Sequence, residues 1–313
     1  MPSDLPVKIG PLKESEVPEA DRIMRLAFGT FLGLPDPMAF MGDRNFMVPR
    51  FHAKHVKVLG ARLEARLIGV VAATRWGSFG FFGPLVVLPE FWDKGVAQRL
   101  LEPTVKLFDR WGLRYSGLFT FAYSAKHVGL YQKFGYWPTY LTALMTRTPD
   151  AAAAQTAPPT ALSALPRQQL EQAIAACAKL TNRIDKGLDL TQEIRTVLSQ
   201  RTGEVILLYT RAALDGFGLC IHGAGSEAGA KTCYVKFGAA RDEASFDRLL
   251  TACEAFAAAR GVSLEAGVNL AREGACRRMK SRGYRTMTQG VAMLRPHVAG
   301  FNRADCYVID DGR

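Results

Sequence analysis

Two stretches of the chain place reactive residue types at spacings that chemistry can use. The first is Leu85-Val86-Val87-Leu88-Pro89-Glu90-Phe91-Trp92-Asp93-Lys94-Gly95-Val96-Ala97, an apolar strand and a glycine loop that run into a helix. Such a junction is an anion site in the making. The first-turn amides have no intrahelical partners, and the helix dipole adds roughly half a positive charge there. Gly95 and Ala97 would let a phosphate approach the backbone without meeting bulky side chains. Read alone, the same loop is an ordinary strand-to-helix turn. The second stretch is Phe121-Ala122-Tyr123-Ser124-Ala125-Lys126-His127-Val128-Gly129-Leu130-Tyr131-Gln132-Lys133-Phe134-Gly135-Tyr136. His127 stands four residues before Tyr131, hence on the same helical face, and an imidazole titrates near neutral pH. A solvent-exposed or core histidine and a packing tyrosine are the plainer alternatives.

The elements that must position these residues follow from hydrophobic spacing. Val17, Ala20, Ile23, Met24, Ala27, Phe28 and Phe31 predict a helix over 14–31 with Ser15 as its N-cap. Residues 33–55, punctuated by Pro and Gly and carrying several aromatics, predict a packed loop with a short helix. Strands are predicted at 56–64, 67–75 and 80–88, the first two as a hairpin. A helix at 95–111, a strand at 115–122, a short helix at 126–134 and a strand at 139–147 follow, and Pro103 should kink or break the first of these helices. Residues 149–166, rich in Ala, Pro and Thr, read as a linker. Beyond it come helices at 167–180 and 190–200, strands at 205–211, 217–222 and 232–237, a helix at 243–260, a strand at 262–266, a helix at 270–282 and a strand at 284–294. This order repeats the first half. Arg99-Leu100-Leu101 and Arg248-Leu249-Leu250 each stand 13 residues before a helix-ending glycine, Gly112 and Gly261. An internal duplication is the preferred reading.

Length and composition narrow the class. A chain of 313 residues exceeds what one hydrophobic core usually supports, so two domains are expected. The net charge of +11 is shared between the halves, +6 before residue 151 and +5 after, which favours a polyanionic partner without choosing between nucleic acid and a phosphorylated small molecule. The six cysteines, all after residue 150, have neither C-x-x-C nor zinc spacing, so reduced cysteines and no metal site are expected. No apolar run approaches the ~18 residues of a membrane helix, and residues 1–13 lack an apolar signal core, so a cytoplasmic protein with no membrane partner is expected.

The two reactive stretches together resemble the GNAT family of acyl-CoA-dependent N-acyltransferases over roughly residues 8–147, and residues 205–295 resemble it more faintly. The family's pyrophosphate loop, Gln/Arg-x-x-Gly-x-Gly/Ala, falls on Trp92-Asp93-Lys94-Gly95-Val96-Ala97, with Trp92 in place of the usual Gln or Arg. The family's Asn-x-x-Ala-x-x-Leu-Tyr motif falls on Ser124 to Tyr131. The resemblance implies an α/β fold of two GNAT-like domains, each a twisted, mostly antiparallel mixed sheet flanked by helices. Their expected bounds are 1–149 and 167–313, with 150–166 as linker. It implies acetyl-CoA or another acyl-CoA as co-substrate and a small-molecule or peptide amine as acceptor. It also implies that Leu85, Val86 and Val87 align the acyl-pantetheine arm, that Trp92 to Ala97 hold the diphosphate, and that Ser124 and Lys126 contact the cofactor. Tyr131 would be the acid that protonates the departing thiolate. Glu90, Tyr123 and His127 are candidates for the general base, with His52 and His55 weaker ones. Lys94, Arg99 and Lys133 are further candidates for the 3′-phosphate.

The second half departs from that pattern. Laying Arg248 on Arg99 puts Arg241-Asp242-Glu243-Ala244-Ser245-Phe246 on the phosphate loop, where bulk and negative charge oppose a diphosphate. Counting back four residues from Gly283, as from Gly135 to Tyr131, finds Met279. Asn269 resembles the family's Asn but at a longer spacing. The second half therefore reads as a degenerate copy that extends the sheet, covers the acceptor cleft or makes a subunit contact, with a homodimer compatible. Gly223 to Gly229 read as a flexible inter-strand loop, and the tail from Asp305 as exposed at its end. Two other functions remain open at this level, a non-catalytic acyl-CoA sensor and, with no recognised motif in support, a nucleic-acid-binding module.

Overall fold

Alternating and helical hydrophobic patterns resolve into one continuous sheet clothed by helices. The computed structural model describes residues 6–150 and 159–312. The first lobe holds β1 (Val7–Pro11), α1 (Val17–Phe31), α2 (Met47–Phe51), β2 (Val56–Leu63), β3 (Arg66–Trp76), β4 (Phe79–Val87), α3 (Val96–Arg110), β5 (Tyr115–Thr120), α4 (Ala125–Gln132) and β6 (Trp137–Arg147). The second lobe holds β7 (Thr160–Ala161), α5 (Arg167–Ile184), α6 (Thr191–Gln200), β8 (Gly203–Thr210), β9 (Ala213–Gly223), β10 (Gly229–Ala240), α7 (Glu243–Ala258), β11 (Ser263–Asn269), α8 (Glu273–Ser281), β12 (Arg285–Arg295) and β13 (Tyr307–Ile309). Up to β12 the second list repeats the first, element for element. Residues 151–158, within the expected linker, lie outside the described residues.

The lobes share their central strands. The sheet runs β1-β2-β3-β4-β5-β12-β6-β11-β10-β9-β8-β7, with β13 attached to β10. Each lobe's fifth strand pairs with the other lobe's last long strand: β5 with β12 (Thr120 opposite Val291) and β11 with β6 (Val268 opposite Ala143). β12 and β6 pair with each other at the centre. In both lobes the fourth and fifth strands run parallel, β4 with β5 and β10 with β11, and a helix crosses between them. Every other pairing in the sheet is antiparallel.

The cores follow this exchange. One cluster packs Ile23, Leu100 and Phe108 of the first lobe with Val291 and Met293 from β12. A second joins Trp76, Phe79 and Phe81 to Ile174, Leu188 and Ile194 of α5, α6 and their connection. A third seats Ala143 and Met145 of β6 against Phe246, Leu249 and Cys253 of α7. All six cysteines are buried and free.

Several expectations are corrected. The N-cap of α1 is Glu16, and Ser15 lies inside a preceding 3-10 turn. Helix α3 continues through Pro103, whose missing N–H removes only the bond to the Arg99 carbonyl. Within the tail, Val308, Ile309, Asp310 and Asp311 are buried, and Arg313 lies outside the described residues. The Gly223–Gly229 loop carries a buried carboxylate, Glu227.

That carboxylate anchors an ionic cluster between the lobes. Arg50 of α2 donates to Glu227 through Nε at 3.0 Å and Nη2 at 3.2 Å. Lys236 of β10 bridges Glu227 at 3.0 Å and Glu193 of α6 at 2.9 Å. Glu193 also accepts from the Trp76 indole at 3.0 Å and lies 2.8 Å from His55 Nε2. Burial alone would raise both carboxylates. Lys236 and the hydrogen bond from His55 for Glu193, and Arg50 and Lys236 for Glu227, hold them below their usual range instead. Removing one member leaves buried charge uncompensated, so Glu227→Ala should lower stability by about 3–5 kcal/mol in urea unfolding. Because the folded values lie below the unfolded ones, the cluster's contribution is complete above the ordinary carboxylate value near 4.5 and declines as pH falls below it. A variant as stable as the parent, or one with an unchanged acid limb, would contradict this account.

Candidate active site

The first lobe opens a fork between β4 and β5. The two strands pair only from Phe79 opposite Tyr115 to Phe81 opposite Gly117, while β4 continues to Val87 and β5 to Thr120. On its other side β4 stays bound to β3, and Leu88 donates to the Ile68 carbonyl at 2.9 Å. Strand alternation then turns the backbone groups of Leu85 and Val87 away from β3, into the fork. Among the described residues no strand pairs with that edge. The Val87 carbonyl is taken by the Trp92 indole, which donates to it at 2.8 Å and ties the loop to the strand end. The Val87 amide remains directed at the fork.

The loop then delivers the start of α3. Asp93 (φ 63°) and Gly95 (φ 76°) both adopt left-handed backbone, and Gly95 is the N-cap, with no side chain capping the helix. An open first turn therefore stands at the mouth of the fork, as an anion requires. Asp93 puts a negative charge beside the loop amides. The structure sets Lys126 of α4 at 2.5 Å from it, with the ammonium also 5.9 Å from the Trp92 ring centre. Lys94 lies over Phe91 at 5.2 Å, and Arg99 donates to the Val7 carbonyl at 2.7 Å, holding β1.

Helix α4 brings the titratable groups. Tyr131 is buried, with its ring 5.7 Å from Phe82 of β4 and its hydroxyl bonded to Thr120 of β5, so the phenol spans the fork. Burial pushes it up to about 12 against the opposing effect of the Thr120 hydrogen bond. His127, one turn earlier, is half-buried 4.9 Å from the Phe31 ring. Burial first, and then the neighbouring Lys126 charge, lower its proton affinity, which favours neutral imidazole. Ser124 is the N-cap of α4, and its hydroxyl makes no capping bond. Tyr123 is 70% exposed.

Not every expected residue joins this group. Glu90 is exposed and bound to Arg66 at 2.6 Å, on the side of the loop that faces the β2–β3 hairpin turn. His55 belongs to the inter-lobe ionic cluster. Reading the sequence missed that cluster, because its members come from α2, β3, α6, the β9–β10 turn and β10, with no shared motif.

The second lobe builds the same fork and fills it. β10 and β11 pair from Thr232 to Val235, and the continuing edge of β10 is taken by β13: Gly238 faces Ile309, Ala239 faces Val308 and Ala240 faces Tyr307. The next residue, Asp310, donates its amide to the Gly267 carbonyl of β11 at 2.9 Å. Tyr234 donates to Asp311 at 2.9 Å, and Arg272 donates to the Asp310 carbonyl at 3.2 Å. The tail thus lies across both prongs. The helix start is closed too, because the Asp242 side chain accepts from the Ser245 amide at 2.8 Å and serves as its own anion. Met279 is the structural counterpart of Tyr131: Tyr284 donates to the Met279 carbonyl just as Tyr136 does to that of Tyr131, both at 3.2 Å. Asn269 donates to Thr142 at 3.0 Å and is used in holding β6.

Residues 22–136 match the model of the acetyltransferase (GNAT) family. No curated protein matches the chain. Among solved structures, a proposed acetyltransferase from Pyrococcus horikoshii is 14% identical, with 97% of this chain and 94% of that one covered and a TM-score of 0.71. A GCN5-related glucosamine N-acetyltransferase region of a fungal multi-domain β-N-acetylglucosaminidase is 14% identical over 93% of this chain and 38% of that one, at a TM-score of 0.63. A GCN5-related N-acetyltransferase from Sphaerobacter thermophilus is 14% identical over 92% and 95%, at 0.56. At such identities these likenesses concern the fold.

The seat of the tail can be tested directly. A Cβ on Gly267 would lie 2.2 Å from that of Asp311. Gly267→Ala should therefore unseat the tail and raise amide exchange at Val308 and Ile309, with β4 protection unchanged. Unaltered exchange there would show that the tail is not held by this fork.

Proposed function

We propose that the chain, which carries a GNAT-family domain over residues 22–136, transfers an acyl group, most simply acetyl, from acyl-CoA to a primary amine in the first lobe. The observation that carries this reading is the difference between the two forks. The first presents an unpaired strand edge beside an uncapped helix start. The second has its edge taken by β13 and its helix start taken by Asp242. On this reading the chain comprises a catalytic domain to residue 149 and a degenerate one from 167.

Acyl-CoA would supply an activated thioester, and each remaining task falls to this chain. The amides of Lys94 to Ala97 and the α3 dipole bind the diphosphate. Leu85 and Val87 align the pantetheine arm as an added strand, with the Ser124 hydroxyl available beside it. The Val87 amide polarises the thioester carbonyl. His127 takes the proton of the attacking amine, directly or through water, and Tyr131 donates its proton as the carbon–sulfur bond breaks. Glu90 is not assigned as base, because Arg66 holds its carboxylate outside the fork. Lys126 acts by neutralising Asp93.

Two measurements test this. Ala97→Glu suits the helix dipole and should fold normally. It should nevertheless weaken CoA binding in calorimetry on the order of a hundredfold, through like charges at close range. Ala244→Glu in the second lobe should leave binding unchanged, and the reverse pattern would move the site to the second lobe. Tyr131→Phe should lower kcat by about 10²–10⁴-fold with CoA affinity retained. The parent's acid limb should lie below the ordinary imidazole value near 6.5, because His127 is lowered, and should vanish in His127→Gln. Tight CoA binding with no thiol release from any amine would instead indicate an acyl-CoA sensor.

A further inference from the structure

Beside the fork lies a group of aromatic side chains that the proposed chemistry does not use. Phe31 ends α1. Phe121 follows directly on Thr120, the β5 residue bonded to Tyr131, and Tyr123 precedes α4. The Phe31 ring centre is 5.2 Å from that of Phe121, 6.1 Å from that of Tyr123 with planes only 9° apart, and 4.9 Å from His127. Phe121 and Tyr123 are 5.6 Å apart. The cluster therefore adjoins both the imidazole and, one helical turn on, the phenol assigned to proton transfer.

These rings are not packed away. Tyr123 is 70% exposed, Phe31 and Phe121 are only partly covered, and the apolar surface continues past α1 through Leu32, 40% exposed, and Met38, 40% exposed. Large apolar side chains left in water beside a reacting centre lose free energy unless something covers them in use. Two neighbouring cations already have partners. Lys126 is paired with Asp93, and Arg25 donates to the carbonyls of Phe40, Gly42 and Arg44 while bonded to Asp21. Asp36, at the Met38 end of this surface, accepts from the Met38 amide at 2.9 Å. The three rings themselves offer neither a cation to a carboxylate or phosphate nor a carboxylate to a second ammonium group. An ammonium group on a hydrocarbon body would find π faces for its charge and apolar surface for its body.

We infer that the acceptor of the first lobe is a primary amine carried on an aromatic or branched hydrocarbon body, held by Phe31, Phe121 and Tyr123 with its nitrogen towards His127. This rests on the acyl-transfer reading and names the substrate class at that same site. The exposed rings attract the ammonium form, and His127 takes the proton as the amine becomes a nucleophile.

The test uses the full chain with acetyl-CoA and four acceptors: 2-phenylethylamine, spermidine, glycine and a lysine-containing peptide. The expected kcat/KM for 2-phenylethylamine exceeds each of the others by about tenfold or more, and Phe31→Ala combined with Tyr123→Ala raises its KM by roughly tenfold with CoA affinity unchanged. Equal or better use of the other three acceptors would overturn the inference, as would an unmoved KM. Binding is followed separately, through shifts of the Phe31, Phe121 and Tyr123 ring resonances on adding 2-phenylethylamine. Shifts at those rings without turnover would refute acyl transfer and keep the aromatic-amine site, whereas absence of shifts would refute the site whatever the turnover. Conversion of a dimer to a monomer by Tyr123→Ala, seen in sedimentation, would identify the patch as a contact between copies and also overturn the inference.

Discussion

The structure depends on one constraint: β5 and β11 each take their outer partner from the opposite lobe. β12 lies between β5 and β6, and β6 lies between β12 and β11. Neither lobe can complete its sheet alone, since the edge left by removing the other would expose a row of unpaired backbone groups. The cores repeat the lesson, because Val291 and Met293 of β12 belong to the first lobe's cluster and Ala143 and Met145 of β6 to the second's. A fork at β4 and β5 needs β5 fixed from its far side, and here that support comes from β12 of the second lobe.

The two lobes share a backbone plan but differ at their forks. Both lobes splay a parallel strand pair and aim a helix at the opening. They differ in what satisfies the exposed groups. In the second lobe the chain supplies its own strand, β13, and its own carboxylate, Asp242. Burying the tail has consequences of its own. Desolvation pushes Asp310 up to about 6, against the pull of Arg272. In the first lobe, among the described residues, no strand pairs with the far end of β4 and no side chain caps the start of α3. The lobes are further latched by the cluster of Arg50, Glu227, Lys236, Glu193 and His55, which ties the end of the segment 33–55 to the second lobe.

The long elements were readable because their periodicity is strong. Helix α3 and strands β2 to β4 fall within a few residues of where spacing places them. Three elements escaped notice for a common reason. β1, β7 and β13 are short, and each exists only through a partner, as Val7 opposite Leu63 or Val308 opposite Ala239 shows. Pro103 misled for the opposite reason, since a local rule was outweighed by a helix held through Leu100, Leu101, Val105 and Phe108. The exchange of β6 and β12 left no trace in periodicity, because side-chain alternation along a strand records which face is covered and not which strand lies beside it.

The sequence by itself determined the local pattern: a glycine loop that opens a helix, a tyrosine and a histidine four residues apart, and a second half in which Ala244 and Met279 stand where the first has Gly95 and Tyr131. Those are matters of residue type and spacing, which act over a turn or two. Tertiary structure alone decided that Glu90 faces Arg66 rather than the fork, that Lys126 offsets Asp93, that the tail lies across the second fork, and that the rings of Phe31 and Tyr123 meet beside His127. These pairings join residues tens of positions apart, and only the packing of the shared sheet and its helices brings such residues within reach.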